Sequence, residues 1–295
     1  VKWVRDFGVT TVHTGHAPGE LLSGQTMAVK TWGNTVEAAT LVPTAMVACT
    51  LASSARKGGD KSPGTRAKMM AMLRGKLIEA REYQRKRIEA EDRQTQDASA
   101  ETDVPADPAR DLKMDVLARV IAGELPLLVT AQRAQDIANA LRLAREFEFR
   151  LVLDGAAESY LLIDEIKAAK VPVIVHPLMA RYFGELKNAS FETPAKLRAA
   201  GIPVCTQSGF EDYVPKTRVV LFETAIAAAN GLTFEQALSA MTIDPARLLK
   251  VDDRVGSLEV GKDGDLALYD GDPFEYTSHC VGVVINGEVV NAEPR

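Results

Sequence analysis

Four short apolar segments decide the fold of this chain: residues 125–130 read LPLLVT, residues 149–154 FRLVLD, residues 171–176 VPVIVH and residues 202–206 IPVCT. Each is a near-continuous apolar run, as expected for strands of a parallel sheet that helices cover. Helical patterns separate the runs, so a strand begins roughly every 25 residues. This alternation predicts an α/β fold, either a (β/α)8 barrel or a doubly wound sheet, and the absence of a GxGxxG motif favours the barrel.

Sequence patterns on either side of this region predict further elements. Residues 8–13 (GVTTVH) and 41–51 predict earlier strands, and the charged residues 65–95 predict a long helix followed by a surface loop at 96–110. After Val251, short strands are predicted at 257–260, 266–269, 281–285 and 288–290. Asn286-Gly287 is typical of a hairpin turn. We therefore assign residues 1–250 to the barrel and 251–295 to a small C-terminal β-sandwich portion.

Composition excludes several classes of protein. The 295 residues are 46% hydrophobic and 25% charged, with a net charge of −5, which is typical of a globular chain. The acidic balance argues against a nucleic-acid partner, and every apolar run is shorter than the ~20 residues that a membrane span requires. The three cysteines are far apart, so neither a disulfide framework nor a structural zinc site is predicted.

A resemblance to a known family appears beyond the barrel pattern. Residues 256–266 read GSLEVGKDGDL and resemble the carboxy-terminal signature of the amidohydrolase superfamily, especially its imidazolonepropionase-like members. Residues 237–249 and 8–12 resemble other segments of that family, so the resemblance runs from about residue 4 to residue 290. It implies a (β/α)8 barrel with one or two divalent metal ions at the carboxyl ends of the strands. Such a metal would activate water to attack an amide or cyclic C–N bond.

The resemblance also shows where metal ligands would stand in this chain. The corresponding positions are Met46, Thr130 with Gln132, Asp154 or Gly155, and Ser208 or Gly209. Threonine and glutamine are poor zinc ligands, and glycine offers no side chain. The His-x-His pair of the family would lie upstream of Val1. We therefore predict a degenerate metal site and no cofactor.

Other residues could still carry chemistry at the barrel mouth. The predicted catalytic residues are Asp154, as a general base or as a helix cap, and His176. The predicted substrate-binding residues are His13, His16, Lys30, Gln132, Gln207 and Ser208. The histidines could instead form a relocated metal site with Glu20 and Asp154, or hydrogen-bond to neighbouring loops. Lys30 could bind a carboxylate or be an exposed loop cation.

Three functions follow from these predictions. The first is a non-catalytic or ligand-binding member of the superfamily, taking a small molecule. The second is a metal-dependent hydrolase of C–N bonds that uses zinc and upstream histidines. The third is a structural partner of an active amidohydrolase. Because a barrel without its first strand has two unpaired edges, we also expect a second polypeptide segment or a paralogous subunit beside it.

Overall fold

The computed structural model describes residues 1–15, 17–57, 61–96, 109–209 and 216–293. Its strands are β1 Thr11–Thr14, β2 Leu22–Gln25, β3 Met27–Lys30, β4 Thr40–Val42, β5 Val47–Thr50, β6 Leu127–Ala131, β7 Leu151–Gly155, β8 Val173–Val175, β9 Val204–Cys205, β10 Leu266–Tyr269, β11 Cys280–Ile285 and β12 Glu288–Asn291. Its helices are α1 Lys2–Arg5, α2 Val36–Ala39, α3 Arg66–Gln96, α4 Leu112–Ile121, α5 Ala134–Phe147, α6 Ile163–Ala168, α7 Thr193–Ala199, α8 Val220–Ala229, α9 Phe234–Met241 and α10 Ile243–Leu249.

A six-stranded mixed sheet organises the protein, with strand order β2-β5-β6-β7-β8-β9. The five strands from β5 to β9 are parallel and follow one another in chain order, whereas β2 pairs antiparallel with β5. At least one helix separates each pair of successive parallel strands. The structure therefore confirms the α/β alternation. The apolar runs at 125–130, 149–154, 171–176 and 202–206 form β6, β7, β8 and β9.

The two faces of this sheet are covered differently. One face holds the main apolar core, in which Leu127, Leu153 and Val173 pack against side chains of helices α3 to α9. The opposite face carries a smaller cluster of Met46, Leu128 and Val152, which the end of α10 partly covers. Side chains alternate between the two faces along a strand. Thr130 and Asp154, two residues after Leu128 and Val152, therefore lie on this second face.

A second, three-stranded sheet has the order β10-β11-β12 and lies at the end of the chain. The predicted hairpin at Asn286-Gly287 is confirmed, with φ of 54° and 81° at the two residues and Ile285 opposite Glu288. The strand predicted at 257–260 is wrong. Those residues form a turn in which the Lys262 ammonium donates to the Ser257 hydroxyl (2.5 Å), and Val260 is fully exposed.

A third sheet is antiparallel and has the order β1-β3-β4. The segment 8–13 was predicted as an early strand of the barrel sheet. The structure instead pairs β1 with β3, opposing Val12 to Val29, so the strand is present but lies outside the main sheet. The strand with which β1 pairs depends on contacts between residues that are distant in sequence. The local sequence pattern of β1 does not determine that partner.

The predicted long helix is α3, which runs from Arg66 to Gln96 and packs against α4. Exposed ion pairs such as Arg85 with Glu89 follow its solvent side, as the interleaved charges predict. Most of the predicted loop at 96–110 lies outside the described residues, which resume at 109. No helix in the described part of the chain has the length and hydropathy to cross a membrane.

Candidate active site

One row of side chains crosses the second face of the main sheet near the carboxyl ends of its strands. Its members are direct neighbours on successive parallel strands: Thr50, Thr130, Asp154, Ile174 and Cys205. The carboxyl ends of parallel strands are where the active sites of α/β barrels form. The polar centre of this row is therefore the candidate site.

Asp154 is the charged centre of the row. It is 7% exposed and lies on β7 between Thr130 on β6 and Ile174 on β8. The Thr130 hydroxyl donates to Oδ2 of Asp154 over 2.5 Å, and the Gln207 amide nitrogen donates to Oδ1 over 2.8 Å. Both carboxylate oxygens thus accept hydrogen bonds from side chains at or next to positions where the family places metal ligands.

The side chain of Gln132 occupies the space beside Gly155, one of the two positions that the resemblance relates to a metal-binding histidine. Gly155 has a φ of +77°, and a Cβ at this position would lie 2.4 Å from Nε2 of Gln132. Oε1 of the same Gln132 amide group accepts a hydrogen bond from the Ala157 backbone amide (3.3 Å). A histidine at position 155 would therefore require strained backbone and a displaced Gln132. Gly209 is blocked in the same way, since its Cβ would lie 2.3 Å from Cγ of Pro177.

His176 follows β8 directly and is 1% exposed. Its Nδ1 lies 3.2 Å from the Pro177 carbonyl, and its ring contacts that of Tyr182 edge to face. Burial lowers the pKa of His176, although the carbonyls of Pro177 and Ser190 act in the opposite direction. No hydrogen bond or ion pair joins His176 to Asp154 in the described structure, so the two predicted catalytic residues do not form a pair.

The predicted substrate-binding residue His13 does not reach the row. His16 lies outside the described residues. Nε2 of His13 is 2.7 Å from the hydroxyl of Thr26, which also accepts a hydrogen bond from the Met46 amide. Met46 precedes Thr50 by four residues, about 13 Å of strand at ~3.3 Å per residue. His13 therefore contacts the amino-terminal end of β5 and not the mouth predicted for it, because β1 pairs outside the main sheet.

The side chain of Lys30 is buried, with 4% of its surface exposed. The alternative prediction of an exposed loop cation is therefore wrong. Its ammonium lies 2.8 Å from Asp263 and 2.9 Å from Asp265, and it also donates to the Asn286 side chain. Burial raises the pKa of Asp263, but hydrogen bonds and charge from Lys30 and Arg254 outweigh burial and lower it overall. Lys30 thus connects β3 to the C-terminal sheet, and its predicted contact with a substrate carboxylate stays a prediction.

The remaining predicted residues flank the row. Gln207 follows β9 by two residues and bonds to Asp154, whereas Ser208 is half-buried beside it. Cys205 belongs to the row itself, and burial together with the nearby charge of Asp244 raises the pKa of its thiol to about 12. A thiol that stays protonated at neutral pH is a poor nucleophile.

The side chains that hydrogen-bond to Asp154 do not suit a divalent metal. The donors that face Asp154 are a hydroxyl and an amide, and Met46 is buried in the apolar cluster. A side chain at position 155 or 209 would need a positive φ and a displaced Gln132 or Pro177. In the described ranges, no three His, Cys, Asp or Glu residues come close enough together to hold a metal ion. Zinc takes imidazole, thiolate and carboxylate ligands, so this donor set does not fit the metal that the family resemblance implies.

Thr130 is the residue whose role the sequence analysis missed. It was identified there only as a lost ligand position. The available signal was its place in the strand: Thr130 and Asp154 stand at equivalent positions of β6 and β7, which makes them direct neighbours in a parallel sheet.

Comparisons with known proteins agree with this α/β fold. A sequence profile described as the Amidohydrolase family matches residues 110–291. An imidazolonepropionase from Maricaulis maris (strain MCS10) is 30% identical over 155 residues, which make up 50% of this chain and 36% of that protein. An imidazolonepropionase from Shewanella sp. (strain W3-18-1) is 33% identical over 102 residues, 32% of this chain and 25% of that protein. The matched segments thus span well under two thirds of these relatives.

A solved structure extends the similarity over almost the whole chain. An amidohydrolase from Thermotoga maritima MSB8 superimposes with a TM-score of 0.88 at 27% identity, covering 99% of this chain and 74% of that one. The chain belongs to the amidohydrolase superfamily, in its imidazolonepropionase-like branch.

Proposed function

We propose that this chain is a (β/α)8-barrel member of the amidohydrolase family in which a hydrogen-bonded polar row has replaced the metal centre. In this proposal it binds a small molecule or a partner subunit and does not hydrolyse C–N bonds. The observation that carries the proposal is the state of Asp154, whose two oxygens accept hydrogen bonds from Thr130 and Gln207.

The barrel architecture is supported by how the main sheet is covered. Helices α3 to α9 all contribute to the core on one face, as the outer helices of a barrel do, whereas a doubly wound sheet carries helices on both faces. The opposite face would then line the barrel interior, and Asp154 would lie at its mouth. The similarity to the Thermotoga maritima structure supports the same arrangement.

The loss of the metal is supported by the chemistry of the replacements. A ligand carboxylate in a metal site must keep an oxygen available for the ion, and neighbouring ligands must be anionic or imidazole. Here the neighbours are neutral hydrogen-bond donors, which stabilise a carboxylate without any cation. The hydroxyl of Thr130 and the amide of Gln207 therefore complement one another around Asp154.

The competing function is a metal-dependent hydrolase, which the names of the curated relatives favour. The two functions separate in an assay of the purified protein with imidazolonepropionate, in the presence of added Zn²⁺ or Mn²⁺. We expect no product above the buffer background. Turnover that chelation abolishes and that the variant Asp154→Asn lacks would instead establish the hydrolase.

A further inference from the structure

A cleft at the other end of the strands from Asp154 has the features of a second binding site. Its cavity volume is about 740 Å³. That size lies within the ~300–1,000 Å³ that is typical of small-molecule sites. Apolar side chains form much of its wall, among them Leu141 of α5, Pro126 and Pro172 beside the starts of β6 and β8, and Leu248 of α10.

Three cations line this cleft, against a single carboxylate. The cations are Arg145 at the end of α5, Arg150 before β7 and Lys170 after α6, and the carboxylate is Glu165. Ion pairs fix many arginines elsewhere on the surface, such as Arg74 with Glu146. Within the described ranges, neither Arg145, Arg150 nor Lys170 pairs with a carboxylate. The cleft therefore combines an apolar wall with an excess of positive charge.

Arg150 is the most informative of the three cations. Its guanidinium donates one hydrogen bond, to the Glu124 carbonyl, and its Nε is buried with no partner among the described residues. A buried charged donor without an acceptor is unfavourable unless a ligand supplies one. An arginine fork presents two parallel N–H groups, which match a carboxylate.

Helix ends explain part of this charge but not all of it. Arg145 lies in the last turn of α5 and Lys170 follows α6, where cations stabilise the helix dipole. Arg150 lies on no helix, however, and needs another explanation. The apolar cavity beside it supplies one.

We propose that this cleft binds a small organic anion that has an apolar body and a carboxylate. The body would pack against Leu141, Pro172 and Leu248, and the carboxylate would bind Arg150 with help from Arg145 and Lys170. The proposal is independent of the function proposed for the Asp154 row, because the two sites lie at opposite ends of the strands.

Octanoate is a suitable probe, and 1-octanol is its neutral match. Calorimetric titration of the purified chain should show saturable binding of one octanoate, with 1-octanol binding more weakly. The double variant Arg145→Gln/Lys170→Gln changes only exposed residues and should weaken octanoate binding by about tenfold or more, the usual effect of losing charge-assisted contacts. Added salt should also weaken it.

The matched control is the double variant Arg142→Gln/Lys167→Gln, which removes the same two positive charges from exposed residues of α5 and α6 that do not line the cleft. It should leave octanoate binding unchanged. The proposal is wrong if octanoate shows no saturable binding. That result is also the one expected if a polypeptide segment, and not a small molecule, occupies the cleft. The proposal is equally wrong if octanol binds as tightly, or if the double variant Arg145→Gln/Lys170→Gln binds octanoate as the unmodified chain does.

Discussion

The hydroxyl of Thr130 donates a 2.5 Å hydrogen bond to the carboxylate of Asp154, its direct neighbour on the adjacent parallel strand. The sequence resemblance relates both positions to metal ligands, and here Thr130 and Gln207 donate to the two oxygens of the carboxylate. A substitution that removes a metal ligand leaves a buried charge without its partner. The donors around Asp154 offset that cost, so the row is compatible with the folded sheet.

Thr130→Val tests the energetic weight of this contact. Valine keeps the shape and strand preference of threonine but cannot donate a hydrogen bond. Because the acceptor is a buried carboxylate, we expect the free energy of unfolding to fall by about 1.5–3 kcal/mol. Urea denaturation followed by circular dichroism measures this change.

Thr50→Val is the matched control, since Thr50 is the neighbour of Thr130 in the same row. Its hydroxyl is buried and has no hydrogen-bond partner among the described residues. Removing a hydroxyl that bonds to nothing should leave stability unchanged or raise it slightly. Equal losses in the two variants would show that the Thr130 hydrogen bond contributes nothing particular.

Lys30→Met tests the connection between β3 and the C-terminal sheet. Removing the buried ammonium leaves the buried Asp265 carboxylate without its cation, and leaves Asp263 with Arg254 alone. We expect a loss of about 3–5 kcal/mol at pH 7. Lys76→Met, which breaks only the exposed pair with Glu79, should cost much less.

The Lys30 contribution should also depend on pH. The pKa of Asp263 is lowered in the folded protein, so the ion pair stabilises fully above the ordinary carboxylate pKa of about 3.9. It is lost as the pH falls through the lower, folded-state value. The stability difference between the unmodified chain and Lys30→Met should therefore shrink from pH 5 towards pH 3. A difference that is constant over this range would contradict the ion-pair assignment.

His176→Gln tests the buried imidazole. In the unfolded chain a histidine takes up a proton near pH 6.5. Burial lowers the pKa of His176 in the folded state. The folded protein therefore loses stability as the pH drops below the unfolded-state pKa of about 6.5. Glutamine cannot titrate, and the fall in unfolding free energy between pH 7 and pH 5 should be smaller in the variant. His279→Gln, at an exposed position, should keep the fall, and an unchanged slope in His176→Gln would refute the assignment.

The sequence predicted the elements that local chemistry determines. The apolar runs form β6 to β9, and Asn286-Gly287 forms the predicted turn. Each of these depends on residues within a few positions of one another.

Contacts distant in sequence were not predictable in the same way. Lys30 pairs with Asp265, which is 235 residues away, and no local pattern around Lys30 indicates that partner. The pairing of β1 with β3 likewise moved His13 from the expected mouth to the amino-terminal end of β5. The hydrogen bonds around Asp154 needed the register of three strands to be known.

Metal binding to the purified chain tests the central claim most directly. The protein is incubated with excess Zn²⁺, Mn²⁺ or Fe²⁺, desalted, and analysed by mass spectrometry of the elements, with Asp154→Asn treated in parallel. The polar row predicts far less than one metal ion per chain and the same value for the variant. About one tightly held ion per chain, lost in Asp154→Asn, would contradict the account.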